Sequence, residues 1–342
     1  MNRQLLVAII ASLLFIGCNE KIYTPIQYEV LRPAYYTLPH GLDDIVIVIG
    51  LNEWECFDSV SVLNNYLHNN ARETMIKRLP SLMCNLLRAN LDNSGYLTAK
   101  IEPKLMPIST LDGKIDSLCK AHDSDALLVL SDASFKCQLN SKYREDQSLW
   151  GVSTSVFNSQ FTVMMPQGTK FSLEPRSDTL MWSYEIYEDF KAGELYYDLP
   201  DYREVYYYTA QMVAEKMSDQ LCPGWTMRNR ELFVTNNILM LGASKCVRRG
   251  EWDKARDIWL QVLQKGKAEA KIHAALNLAI YYEFKDDVDN ATRWSSDAIF
   301  MIEKFKRKNM TEEQNAAVVI FNEMMKRKRE QQILEGQFYK RE

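Results

Sequence analysis

Two rhythms of apolar residues run along this chain of 342 residues, and the places where one gives way to the other divide it. Asp44-Ile45-Val46-Ile47-Val48-Ile49-Gly50 is a continuous β-branched run closed by glycine, the pattern of a strand buried on both faces. Leu63, Leu67, Ala71, Met75, Leu79, Leu82 and Leu86 then recur at spacings of three and four, which predicts a long helix. Pro80 falls inside that pattern and must either kink the helix or open a second one. Gly95–Ile101 reads as a strand. Leu111–His122 reads as a short helix with Leu111, Ile115, Leu118 and Cys119 on one side, and Asp125–Leu130 as a second buried strand. Strand, helix, strand, helix, strand predicts an α/β fold, a parallel or mixed sheet with helices packed on it.

From Trp150 the period shortens. Gly151–Met165 and Leu180–Tyr187 read as antiparallel strands with a Pro166-Gln167-Gly168 turn between them. A helix over 203–221 is expected to turn Val205, Tyr208, Met212, Val213 and Met217 inward, and Cys222-Pro223-Gly224 ends it at a domain boundary. From Asn236 onward the pattern is wholly helical. Gly250-Glu251-Trp252-Asp253-Lys254-Ala255, followed by Trp259 and Val262, is echoed by Asp286-Asp287-Val288-Asp289-Asn290-Ala291 and Ala298. The echo resembles a tetratricopeptide repeat, in which Ala255, Ala279 and Ala291 let paired helices approach while Trp259 and Tyr282 fill the space between pairs. A helix over 312–335 would cap the array.

The first 17 residues read as a signal peptide. Arg3 supplies the positive start, and Leu5–Ile16 is a 12-residue uncharged run, too short for the roughly 20 residues a bilayer needs. Leu14-Phe15-Ile16-Gly17-Cys18 resembles the lipobox of bacterial lipoproteins, although Phe15 replaces the usual aliphatic residue. The resemblance implies acylation of Cys18 and an anchor at the membrane. The expected order is therefore a signal peptide (1–17), a tether and edge segment (18–40, with a strand near Gln27–Leu31), an α/β domain (41–224) and a tetratricopeptide-like helical domain (225–342). In that order the chain resembles a Bacteroides-type lipoprotein family, a domain of unknown function with an α/β domain before a tetratricopeptide-like tail. The family implies residence in the cell envelope, by preference the outer membrane with its face left open, and carries over no functional residues.

Composition adds exclusions. With 46% hydrophobic and 25% charged residues the chain is not disordered, and a net charge of −4 offers no broad basic field for nucleic acid. Beyond Cys18 stand Cys56, Cys84, Cys119, Cys137, Cys222 and Cys246, whose spacing shows no disulfide framework, so mostly buried thiols are expected.

Candidate chemistry is sparse. The four histidines, His40, His68, His122 and His273, belong to no metal, nucleophile or phosphate motif, so no cofactor and no catalytic residue is expected. His122-Asp123-Ser124-Asp125 reads as a helix cap, and Lys326-Arg327-Lys328-Arg329 as a solvated face. Glu185 with Glu188 and Asp189, or Asp198 with Asp201, would be the acid pairs of a hydrolase. The densest feature is aromatic, running from Trp182 to Tyr208. Trp182, Tyr184, Tyr196, Tyr197, Tyr202, Tyr206 and Tyr207 are its candidate binding residues, because exposed aromatic surface marks interaction sites. These features order the readings as a non-catalytic envelope lipoprotein that binds a protein, then a glycan-binding lipoprotein of an uptake system, then a hydrolase.

Overall fold

The computed structural model describes residues 22–51, 54–58, 74–143, 149–189, 194–197, 202–234, 237–305 and 311–339. They form two compact units, a mixed α/β one and an all-helical one that carries a β-ribbon. The α/β unit comprises Pro33–Gly224 with the described residues from Leu334 onward. The helical unit comprises the described residues up to Arg32 together with Trp225–Ile333. The strand expected near Gln27–Leu31 is present and belongs to the helical unit, and the last described residues belong to the α/β unit.

In the α/β unit, β2 (Asp44–Ile49) lies between β4 (Thr98–Ile101) and β5 (Ala126–Tyr143), parallel to both. The sheet continues antiparallel through β6 (Leu149–Met164), β8 (Arg176–Asp189) and β9 (Glu194–Tyr197). Short β3 (Glu55–Asp58) pairs with the far half of β5, and β7 (Lys170–Ser172) with β6. Period-two geometry sorts the apolar run of β2 onto two faces. Ile45, Ile47 and Ile49 pack with α1 (Leu79–Ser94) and α4 (Tyr202–Leu221). Val46 and Val48 pack with α2 (Ile108–Leu111) and α3 (Ile115–His122). Both faces are covered, which is why the strand reads as unbroken aliphatic sequence.

Local chemistry sets the boundaries. Pro80 sits in the first turn of α1, where its missing N–H costs nothing, so it opens a helix rather than kinking one. Gly95 ends that helix at φ +65°, a conformation glycine adopts without strain. β5 runs well past the predicted Leu130 because a bulge between Leu130 and Asp132 flips its parity. Ala126, Leu128 and Leu130 face the α1 side before it, and Ala133, Phe135 and Cys137 face the same side after it.

The face of α4 differs from the expected one. Val205, Tyr206, Ala210, Val213, Ala214 and Met217 are buried, whereas Tyr208 is exposed and Met212 half-buried. Thr209, Ala210 and Ala214 are small enough to let the helix approach the sheet, which pushes Tyr208 to the rim and sinks Tyr206 edge-on against Phe135 at 5.5 Å.

In the helical unit, β1 (Ile22–Arg32) and β10 (Gly224–Val234) form a two-stranded ribbon. The helices are α5 (Ile238–Arg248), α6 (Trp252–Lys265), α7 (Ala268–Phe284), α8 (Val288–Phe305) and α9 (Thr311–Tyr339). Two- and three-residue connections join the first four, which makes successive helices antiparallel neighbours. Ala255, Ala279 and Ala291 are fully buried at the crossings, Trp259 fills the core, and Tyr282 packs against it half-buried. Three residues of the basic run on α9, Lys326, Lys328 and Arg329, are exposed as a solvated face would have them, and Arg327 alone departs from it. Arg327 is buried, bonds Asp286 Oδ1 at 3.0 Å and donates to the Leu31 carbonyl, while Lys328 pairs with Asp289.

Candidate functional site

α7 is buried on nearly all sides, and its polar residues lie on one stripe toward the ribbon. His273 stacks on Phe233 with ring centroids 4.9 Å apart, and its Nε2 meets Glu313 Oε1 at 3.0 Å. Asn277, four residues on, holds the Phe233 backbone at both polar atoms. Phe233 N donates to Asn277 Oδ1, and Asn277 Nδ2 donates to Phe233 O, each at 2.8 Å. Glu283 receives Arg230 Nε at 2.8 Å and Nη2 at 2.7 Å, and Glu323 of α9 accepts from the same guanidinium. An extended chain is thus gripped along a helix by groups that match its donors and acceptors.

Burial alone would weaken the charge on Arg230, yet the hydrogen bonds and charge of Glu283 outweigh it and hold the guanidinium protonated above its ordinary range. Tyr28, close to the same pair, is pushed well above the usual phenol range, first by burial and then by the Glu283 carboxylate. Arg230 and Glu283 are held by paired hydrogen bonds, a positioning network rather than an acid–base pair.

Beside the network lies an open groove of about 410 Å³. Ile280 of α7 and Ala316, Val319 and Ile320 of α9 line it opposite Pro25, Ile26 and Phe233 of the ribbon, and Asn229, Arg230 and Glu231 supply polar groups. A mostly apolar wall with a few placed polar groups, in a volume within the roughly 300–1,000 Å³ of ligand sites, is the composition of a binding surface.

Three of the aromatic candidates have described side chains, and they occupy different environments. Tyr206 is 1% exposed and belongs to the core, and Trp182 is half-buried against the same core. Tyr207 is exposed, with Tyr208 beside it at 5.9 Å and an interplanar angle of 74°, so the two rings are not coplanar. The side chains of Tyr184, Tyr196, Tyr197 and Tyr202 lie outside the described residues, as do the acid candidates Glu185, Glu188, Asp189, Asp198 and Asp201, and Cys18.

Beside the C-terminal half of β2, residues 102–108 carry on the pairing begun by β4. Glu102 N, Met106 N and Ile108 N bond to the carbonyls of Ile47, Ile49 and Gly50. A Cβ on Gly50 would come within 2.5 Å of Val129 Cγ1, so glycine is what allows β2 to close against β5. Asp123 caps α3 at φ +48°, and Asp125 Oδ2 accepts from Asp43 N and Asp44 N, both at 2.9 Å. His122 Nε2 lies 3.0 Å from Glu102 Oε2, and the hydrogen bond from His122 leads the effects that hold the Glu102 carboxyl below its ordinary range.

Among the described residues no group of three or more His, Cys, Asp or Glu could hold a metal ion, and no helix is long and apolar enough to cross a membrane. Five of the six described cysteines are buried and none forms a disulfide. Burial pushes the Cys84 thiol up to about 12, which keeps it an inert thiol.

The network and the groove were missed at the sequence level, although one signal was present. Asn277 stands alone in Ala-Ala-Leu-Asn-Leu-Ala-Ile, and a lone amide within an all-apolar helical stretch must find a buried partner.

A family model described as a domain of unknown function, DUF8603, matches residues 51–233, and a second, DUF6340, also a domain of unknown function, matches residues 242–326. No curated protein sequence matches the chain. Among solved structures it is similar to a minor lipoprotein from Acinetobacter baumannii (12% identity, 54% of this chain and 90% of that one, TM-score 0.24). It is also similar to a neuraminyllactose-binding hemagglutinin homolog from Helicobacter pylori (7% identity, 64% and 92% coverage, TM-score 0.29). Likenesses this slight carry no argument about function.

Proposed function

The chain belongs to the family of the domain of unknown function DUF8603, and from its own residues we propose that it is a non-catalytic, lipid-anchored envelope protein that holds a segment of a partner protein in the groove of its helical unit. The observation that carries this reading is the 410 Å³ groove lined by Ile280, Ala316, Val319 and Ile320 beside the ribbon. The stripe of α7 next to it already grips one extended backbone, through Asn277 on Phe233. A second extended segment in the groove would reuse the same physics, with apolar side chains in the trough and polar groups met by Asn229 and Glu231.

The helices fit a tetratricopeptide-type array whose binding face is taken in part by the protein's own ribbon, leaving the groove as its open remainder. The anchor rests on the Leu14–Cys18 pattern and the export signal before it, which support acylation outside the cytoplasm. Ala316→Trp tests the reading, since the new ring fills the trough from a half-buried position. Affinity capture from solubilised envelopes is expected to retain a discrete partner with the parent chain and lose it with the variant, thermal melting being unchanged. Equal capture by both would remove the groove from the account.

A second reading, a glycan-binding lipoprotein of an uptake system, is favoured by the exposure of Tyr207 and Tyr208. Calorimetry against oligosaccharides decides it, because heat that survives Tyr207→Ala with Tyr208→Ala cannot come from this pair. The hydrolase reading gains no support from the described residues.

A further inference from the structure

Where the chain enters the helical unit is fixed by two side-chain contacts. Thr24 Oγ1 of β1 lies 2.9 Å from Ser244 Oγ of α5, and Tyr28, further along β1, packs edge-on to Phe284 at 5.7 Å. Phe284 in turn stacks on Trp252, just beyond the end of α5, at 4.4 Å. β1 and α5 therefore advance in the same sense, and the start of β1 lies toward the first turn of α5.

That turn is capped by Asn237, whose side chain accepts from Leu239 N at 2.8 Å, and it leaves a cluster of large apolar groups uncovered. Ile238 is 82% exposed and Leu239 and Leu241 are 37% exposed, whereas Met240 between them is buried. The outer stripe of the helix continues at helical spacing through Lys245 and Arg248, both exposed.

The tether is short. Only Asn19, Glu20 and Lys21 separate Cys18 from Ile22, the first residue of β1. Four residue steps reach at most about 14 Å when fully extended. An acylated Cys18 sits at the membrane boundary, so the start of β1 and the turn beside it cannot leave that boundary by more than this span.

On the reading that Cys18 is acylated, we propose that the outer stripe of α5 is a membrane-contact face. Ile238, Leu239 and Leu241 enter the headgroup boundary of the leaflet that holds the anchor, and Lys245 and Arg248 meet its anionic headgroups. The order of residue types supports this occupant over a protein. Apolar groups stand at the end nearest the tether and long cationic side chains stand behind them, the arrangement by which interfacial helices bury one end and extend their charges to phosphates.

The test uses the acylated full chain reconstituted into vesicles of phosphatidylethanolamine and phosphatidylglycerol. Ile238→Cys in a Cys56→Ser background carries an environment-sensitive fluorophore, and Lys254→Cys on α6 serves as the control site. Both replaced side chains are exposed, so folding is not at stake. Emission at position 238 is expected to rise about twofold or more on reconstitution and to be quenched by spin-labelled lipid, while position 254 stays unchanged. Protein that floats with the vesicles but responds equally at both positions would overturn the contact face and leave the anchor intact. Protein that does not float would remove the anchor reading and this inference together.

Discussion

Each unit has one element packed on every side, β2 in the α/β unit and α7 in the helical unit, and the two are built from opposite materials. From Ile45 to Ile49, β2 presents only aliphatic side chains to its neighbours. α7 buries His273, Asn277 and Glu283 among alanines and leucines. An aliphatic surface accepts any neighbour of suitable volume, so β2 specifies little beyond its sheet. A buried amide or carboxylate accepts only a partner with matching donors and acceptors. The helical unit therefore spends stability on selecting a partner, and its first partner is its own ribbon. That is the reason to look for binding beside α7.

The comparison can be broken by substitution. The largest effect is expected from Glu283→Ala, which leaves the Arg230 guanidinium with Glu323 as its remaining carboxylate and should cost about 3–5 kcal/mol. Adding Arg230→Met should return part of that loss, because a missing pair costs less than a stranded charge. Hydrogen exchange over β10 and α7 reads both, and a neutral Glu283→Ala would mean that the network is ornamental.

Asn277→Ala should come next, at roughly 1–3 kcal/mol in all for the Phe233 backbone groups left unpaired. Its increase in exchange should be confined to the helical unit, and a spread into β2 would break the distinction between the two interiors. In the α/β unit the sensitivity is to volume instead. Gly50→Ala brings a methyl against Val129 and should cost about 1–3 kcal/mol by chemical denaturation, whereas a change below 0.5 kcal/mol would show that β2 tolerates overpacking.

What was legible in the sequence follows the same contrast. The strand at Asp44–Ile49, the helical period around Pro80 and the strands over 151–165 and 180–187 were readable because burial imposes an apolar period that neighbours cannot hide, although the Pro166–Gly168 turn leads first into short β7. β5 was cut short at Leu130 because its bulge reverses the parity of the apolar positions, and a period-two reading sees that as an ending. β10 was missed because its inward positions include Arg228 and Arg230, which break the apolar alternation, and the charge of Arg230 is met by Glu283 and Glu323 far away in sequence. The face of α4 was misread because Thr209, Ala210 and Ala214 outrank Tyr208 when close approach rather than hydrophobicity decides.

The candidate site was the least legible part. Aromatic density from Trp182 to Tyr208 is a local signal, and Tyr206 shows that such density also serves a core. The groove is assembled from residues near 26, 230, 280 and 319, and no local pattern joins segments that far apart.

The central claim is that partner binding belongs to the groove beside α7. Photo-crosslinking in intact envelopes tests it most directly, with a benzophenone amino acid at Val319 in the groove or at Tyr207 on the α/β unit. The account predicts a discrete protein adduct from position 319 and none from position 207; an adduct from 207 alone would contradict it.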